Sequence, residues 1–173
     1  MSGPAWPCGS AHQRAGGRLD ETARRLSHEE LAVATALAGE GHMVRSLGEA
    51  RGGGRRPDLE VCGAAVEVKS WLPAGERGRL PTARSVLNKL IDASGQAGMV
   101  VLNAKGSGLR AGAARQGLAL YSARRAAGAD GGLRAVRVIG DGFDLTWSRR
   151  PVRDISPGVR EAADRARRIV LGP

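Results

Sequence analysis

Three residues in the stretch PDLEVCGAAVEVKS, residues 57–70, have types and spacing that could do chemistry: Asp58, Glu67 and Lys69. Side chains alternate between the faces of an extended strand, so Glu67 and Lys69 share one face while Val66 and Val68 take the other. The pair Cys62-Gly63 reads as a tight turn between two short strands, and the resulting hairpin brings Asp58 to the polar face. Two carboxylates hold a hard divalent cation such as Mg²⁺, which keeps several waters and accepts a phosphate oxygen as a further ligand. The cation polarises a phosphodiester and activates a water; the ammonium orients that water or stabilises developing charge. This is the chemistry of a nuclease, with Asp58 and Glu67 as metal ligands and Lys69 beside them. The competing reading is a surface hairpin carrying an ordinary Glu–Lys pair.

Composition adds a contrast. Of 27 basic residues only Lys69, Lys89 and Lys105 are lysine, the rest being arginine. In such a background a lysine marks a place that wants a compact ammonium rather than a planar fork. The net charge of +10 suits a polyanionic partner, and residues 110–173 hold thirteen Arg against six Asp or Glu. Two cysteines, Cys8 and Cys62, are too few and too far apart for a disulfide framework or a zinc site, and His12, His28 and His42 lack ligand spacing and read as surface or loop residues. No apolar run reaches the length of a membrane span. The N-terminal stretch lacks a basic region followed by an apolar one, so the expectation is a cytoplasmic protein without a membrane partner, a non-standard export route leaving no trace.

The elements that must position the three residues follow from periodicity. Residues 1–26 read as a flexible arm with a short helical turn over 20–26. A helix is expected over 27–40, opened by a Ser27–Glu30 capping box, closed at Gly41, and buried along Leu31, Ala34, Leu37 and Ala38. A strand over 42–47, a glycine-rich basic connector over 48–56 and the hairpin come next. A helix from about 82 to 96, capped by Thr82, buries Val86, Leu87, Leu90, Ile91 and Ala93. The continuous apolar run over 98–103 is a strand buried on both faces. A helix over 109–127 precedes two strands, 133–139 and 143–147, around a turn at 140–142, and Ser156-Pro157 opens a last helix. The fold class is α/β: a mixed central sheet flanked by helices, with an αβββαβ core plus a C-terminal hairpin and helix. The division is an arm (1–26), a catalytic domain (27–148) and a basic helical tail (149–173).

Pro57-Asp58, eight intervening residues, and Glu67-Val68-Lys69 are similar to the PD-(D/E)xK nuclease motif, whose restriction-endonuclease-like core has the same element order. More narrowly, ELAVATALAGEGHMV, PDLEVCGAAVEVKS and SVLNKLIDASGQAGMVVLN, spanning about residues 30–103, resemble the tRNA-nuclease toxin domains at the C-termini of CdiA contact-dependent inhibition proteins. The resemblance implies metal-dependent ribonuclease activity on tRNA and a cognate immunity protein as partner. It also implies that Glu30, on the buried stripe of its helix, joins the catalytic cluster. The capping role competes for the same side chain, and Glu29 could take its place. Gln96 matches a glutamine that lies near the active site of related nucleases, or is simply a polar helix end. Ser70 faces away from Glu67 and Lys69. Trp71 either stacks on a base or closes the rim of the core, and Asn88 and Lys89 face either phosphate or water. The rival readings are a DNA endonuclease of restriction or repair type on the same fold and a non-catalytic nucleic-acid-binding protein.

Overall fold

A computed structural model describes residues 16–48, 56–74, 80–126 and 132–149. Seven strands form one mixed sheet in which spatial order equals chain order. They are β1 (Arg18–Asp20), β2 (Met43–Ser46), β3 (Leu59–Val61), β4 (Ala64–Ser70), β5 (Met99–Asn103), β6 (Ala135–Gly140) and β7 (Phe143–Ser148), with helices α1 (His28–Gly39), α2 (Ala83–Ser94) and α3 (Ala111–Ala126). The run from α1 to β5 has the expected αβββαβ order, and β6–β7 is the expected C-terminal hairpin. The last helix lies outside the described residues, as does most of the connector over 48–56.

Strands β2, β3 and β4 form an antiparallel meander. Its second turn places both Cys62 (φ 48°) and Gly63 (φ 81°) in the left-handed region, which gives a two-residue hairpin the twist of its strands. Cys62 is disulfide-bonded, a link that counting two cysteines does not anticipate. Helical crossovers through α2 and α3 make β4, β5 and β6 parallel, with β5 in the middle. The continuous apolar run of β5 serves two cores at once: Val100 and Leu102 pack under α2 and α3, Met99 and Val101 under α1. Gly117 lets α2 and α3 approach closely, since a Cβ there would sit 2.5 Å from Val86 Cβ.

Four local expectations change. Arg18–Asp20, assigned to the arm, is a strand paired in parallel with β2, and Leu26 is buried in the core under α1, so residues 18–20 join the sheet and 21–26 form an irregular link to α1 rather than a helical turn. The buried stripe of α1 is Val33, Ala34 and Leu37, whereas Leu31 is exposed; at roughly 100° per residue Glu30 then falls between Leu37 and Ala34, in the middle of the stripe. On α2, Ile91 is likewise exposed while Val86, Leu90 and Ala93 are buried. His42, read as a surface or loop residue, is buried at 3% exposure with Nε2 3.7 Å from Glu40.

The far end of α1 is fastened to β6 and β7 by Arg137, buried on the face that α1 covers. Its guanidinium donates to Glu40 at 2.6 and 2.7 Å and to Asp144 at 3.0 Å. Contact with both carboxylates outweighs burial and raises its pKa further, so the cation is permanent. Arg137→Ala is expected to lower stability by about 2 to 4 kcal/mol, less than for a fully enclosed triad because Glu40 and Asp144 keep part of their hydration. The measurement is a urea titration, whose midpoint should fall with an unchanged slope.

Candidate active site

The polar centre is built where β3 and β4 meet the N-terminus of α1 and the C-terminal end of α2. Register puts Glu67 beside Val100 and Lys69 beside Leu102, on the face that α2 covers. That position explains why the Glu67 side chain is only 3% exposed. Lys69 Nζ lies 2.7 Å from Glu67 Oε1 and 3.4 Å from Asp92 Oδ2 of α2. Gln96 stands two residues past the end of α2 rather than on it. Its amide orientation is decided by its neighbours, a carboxylate and an ammonium: Nε2 donates to Glu67 Oε1 at 2.9 Å and Oε1 accepts from Lys69 Nζ at 3.1 Å. Glu67, Lys69 and Gln96 therefore form a closed triangle of contacts. Glu67 Oε2, also buried, has no hydrogen-bond partner among the described residues.

Asp58 precedes β3 and is fixed by two groups. Its Oδ2 accepts the Val68 N–H at 2.9 Å, and its Oδ1 accepts from Arg24 at 3.1 Å. The same guanidinium is bidentate to Glu30, at 2.8 and 2.9 Å, and donates through Nε to the Leu47 carbonyl. Glu30 also completes the capping box, accepting the Ser27 N–H at 2.8 Å. The two roles that compete for Glu30 in the sequence are thus filled together, one carboxylate capping α1 and reaching the cluster. Glu29 instead lines the cleft alongside. Arg24, within the presumed arm, is the residue that sequence reading misses. Asp92 is the other; it lies in the last turn of α2 and reaches Lys69 at 3.4 Å.

Electrostatics separate the carboxylates. Burial pushes Asp58 up to about 7, against the Val68 N–H and with the hydrogen bond to Glu30 and the charges of Glu67 and Glu30 adding to the rise. Glu30 is also desolvated, but its bonds to Arg24 and to the Ser27 N–H hold it down at about 2. Burial would lower Lys69; the contacts with Glu67 and Asp92 prevail and raise it, so the ammonium is retained. Asp58 then has a sharp consequence for stability. Its proton is held more tightly folded than unfolded, so its contribution to stability falls as pH rises from about 4 to about 7. Glu30 acts in the opposite sense, adding stability as pH rises from about 2 to about 4.5. Thermal melts of the metal-free protein should therefore show a decline between pH 4 and 7 that Asp58→Asn flattens.

Beside the centre opens a cleft of about 760 Å³, bordered by Glu30, Val68, Ser70, Trp71, Asn88 and Lys89 among others. Trp71 packs on the core under α2, the rim role open to it in the sequence, and it also lines the cleft. Asn88 is exposed, and Lys89 Nζ sits 5.0 Å from the Trp71 ring centre. Among the described residues no three of His, Cys, Asp and Glu gather into a metal cage, and no helix is long and apolar enough to cross a membrane. No family model, no curated protein and no solved structure matches this chain.

Proposed function

We propose that the protein is a metal-dependent nuclease that hydrolyses phosphodiester bonds, with tRNA as the substrate that the resemblance implies. The observation that supports this most is Glu67, a buried carboxylate whose one oxygen is held by Lys69 and Gln96 while the other has no partner among the described residues. An unpartnered buried carboxylate oxygen is costly, and Asp58 nearby is pushed toward protonation in part by the charge of Glu67. A divalent cation on Asp58 and Glu67 answers both, supplying the missing partner and the opposing charge. Mg²⁺ needs no larger protein cage, since it commonly uses one or two carboxylates plus the substrate phosphate. When bound it would polarise the scissile phosphodiester and lower the pKa of a water.

The chain's own residues do the rest. Lys69 presents a permanent positive charge next to the metal carboxylates, where negative charge develops on the phosphorus oxygens in the transition state. Gln96 fixes the direction of both Glu67 and Lys69. Arg24 holds Glu30 and Asp58 in register and keeps Glu30 ionised. The net charge of +10 draws a polyanion toward this surface.

The test is to incubate the protein with total tRNA, ribosomal RNA and plasmid DNA, in Mg²⁺ and in EDTA, beside Asp58→Ala. Expected are tRNA cleavage in Mg²⁺, none in EDTA, and a severe loss in the variant. Cleavage of plasmid alone would transfer the reading to a DNA endonuclease. Intact nucleic acid throughout, with binding retained, would leave a nucleic-acid-binding protein. A second, activity-free readout is available: Mg²⁺ should remove the pH 4 to 7 decline in melting temperature, because a cation beside Asp58 restores its ordinary acidity. The cognate immunity protein implied by the resemblance would act by covering this same surface.

A further inference from the structure

We infer that the cleft beside the carboxylate centre is a subsite for one unpaired nucleobase of the substrate, with Trp71 as its stacking platform. The inference rests on the nuclease reading for its relevance to cleavage, but its own evidence is the cleft. A volume of about 760 Å³ is ample for a nucleoside. The wall is continuous with the centre: Glu30 borders the cleft and shares Arg24 with Asp58, and Val68 borders it and donates its N–H to Asp58. A nucleotide seated in the cleft therefore has its phosphate next to the proposed metal ligands.

Charge decides which part of the nucleotide enters. Glu29 and Glu30 line the cleft from α1 and Lys89 lines it from α2. A run of phosphates lying there would meet the Glu29 carboxylate and find the Arg24 guanidinium already engaged by Glu30, whereas a neutral base meets none of that penalty. Trp71 offers the indole, and Ser85 and Asn88 offer a hydroxyl and an amide to the edge of a base. In the free protein Lys89 lies over the Trp71 ring. A base stacked on an indole is worth more than an exposed cation–π contact, so the incoming base displaces the ammonium. Lys89 then turns to the adjoining phosphate, and one movement serves both contacts. Bases inside a duplex cannot reach a ring set into a cleft, so the site selects loops, bulges or single strands.

The experiment uses the full chain in EDTA, where the proposed chemistry is silent, and a single-stranded hexaribonucleotide with its matched duplex as probes. Intrinsic tryptophan emission and fluorescence anisotropy are the readouts. The single strand should quench emission, and Trp71→Phe should abolish that quench while leaving affinity within a few-fold, since Phe still stacks. Trp71→Ala should weaken binding about tenfold or more. Lys89→Ala should weaken it several-fold and flatten its salt dependence. The duplex should bind at least tenfold less tightly. A quench that survives in the Trp71→Phe variant, or equal affinity for strand and duplex, overturns the subsite. The two readings separate cleanly. A Trp71-dependent quench without Mg²⁺-dependent cleavage retains the subsite and sinks the nuclease. Cleavage with no quench does the reverse.

Discussion

Replacing Lys69 by methionine is expected to lower the cleavage rate constant about 100- to 1000-fold at saturating Mg²⁺, with little change in KM. A preorganised charge aimed at the transition state acts on the rate constant, because the ground-state phosphodiester gains less from it. The ammonium has three N–H donors, and among the described residues it has three acceptors: Glu67, Asp92 and Gln96. Asp92 is the most distant, at 3.4 Å, and half-exposed, so it is the partner that substrate phosphate displaces. Asp92→Asn should accordingly retain most activity. Lys69→Arg should not, because a planar fork cannot occupy the place of a point charge between Glu67 and Gln96.

A structural role for Lys69 alone would give a similar loss, so stability must be read separately. Lys69→Met leaves the buried Glu67 charge, among the described residues, with Gln96 alone to answer it, at a loss of about 2 to 3 kcal/mol. Adding Glu67→Gln removes that charge, and the Glu67→Gln/Lys69→Met double variant should regain stability in a urea titration. It should regain no cleavage. Restored cleavage in the double variant would mean that Lys69 serves the fold and the chemistry lies elsewhere.

The centre was legible in the sequence to the extent that it is local. Asp58, Glu67 and Lys69 fall within twelve residues, and strand alternation with a two-residue turn is enough to bring them together. Capping residues were equally legible, because Ser27 and Thr82 each satisfy helix N–H groups within three positions. What stayed hidden depends on distant partners. Nothing in the three residues Arg18–Asp20 marks a strand; they are one because β2 lies alongside. Arg137 reads as another surface arginine until Glu40, 97 residues away, and Asp144 close over it. Gln96 entered through the resemblance beside a plain helix-end reading, and what neither anticipates is the step off the helix at Gly95 that turns its amide toward Glu67 and Lys69. Arg24 is hidden for the same reason, and it has the larger consequence.

Arg24→Ala is expected to lower the melting temperature in EDTA by about 4 to 12 °C, and Mg²⁺ should recover more of the loss than it adds to the unaltered protein. The first part follows from what the side chain holds: Glu30 at both oxygens, Asp58 at one, and the Leu47 carbonyl. Removing the cation leaves two carboxylates adjacent and uncompensated, a loss of about 2 to 4 kcal/mol for a partly buried network, or several degrees for a chain of this size. The second part follows from the sign of the charge. Arg24 and a divalent cation both answer the negative charge of Asp58, so each weakens the demand for the other. Without Arg24 the site is more negative, the cation binds more tightly, and the half-saturating Mg²⁺ concentration for stabilisation should fall. Arg24→Lys should lie between the two, keeping a charge but not the fork that spans Glu30 and Asp58. An equal Mg²⁺ shift in all three proteins would show that no cation binds beside Asp58. A purely structural Arg24 predicts the loss in EDTA but not its recovery, so the difference between the two melts, rather than either alone, decides whether the cluster is a metal centre.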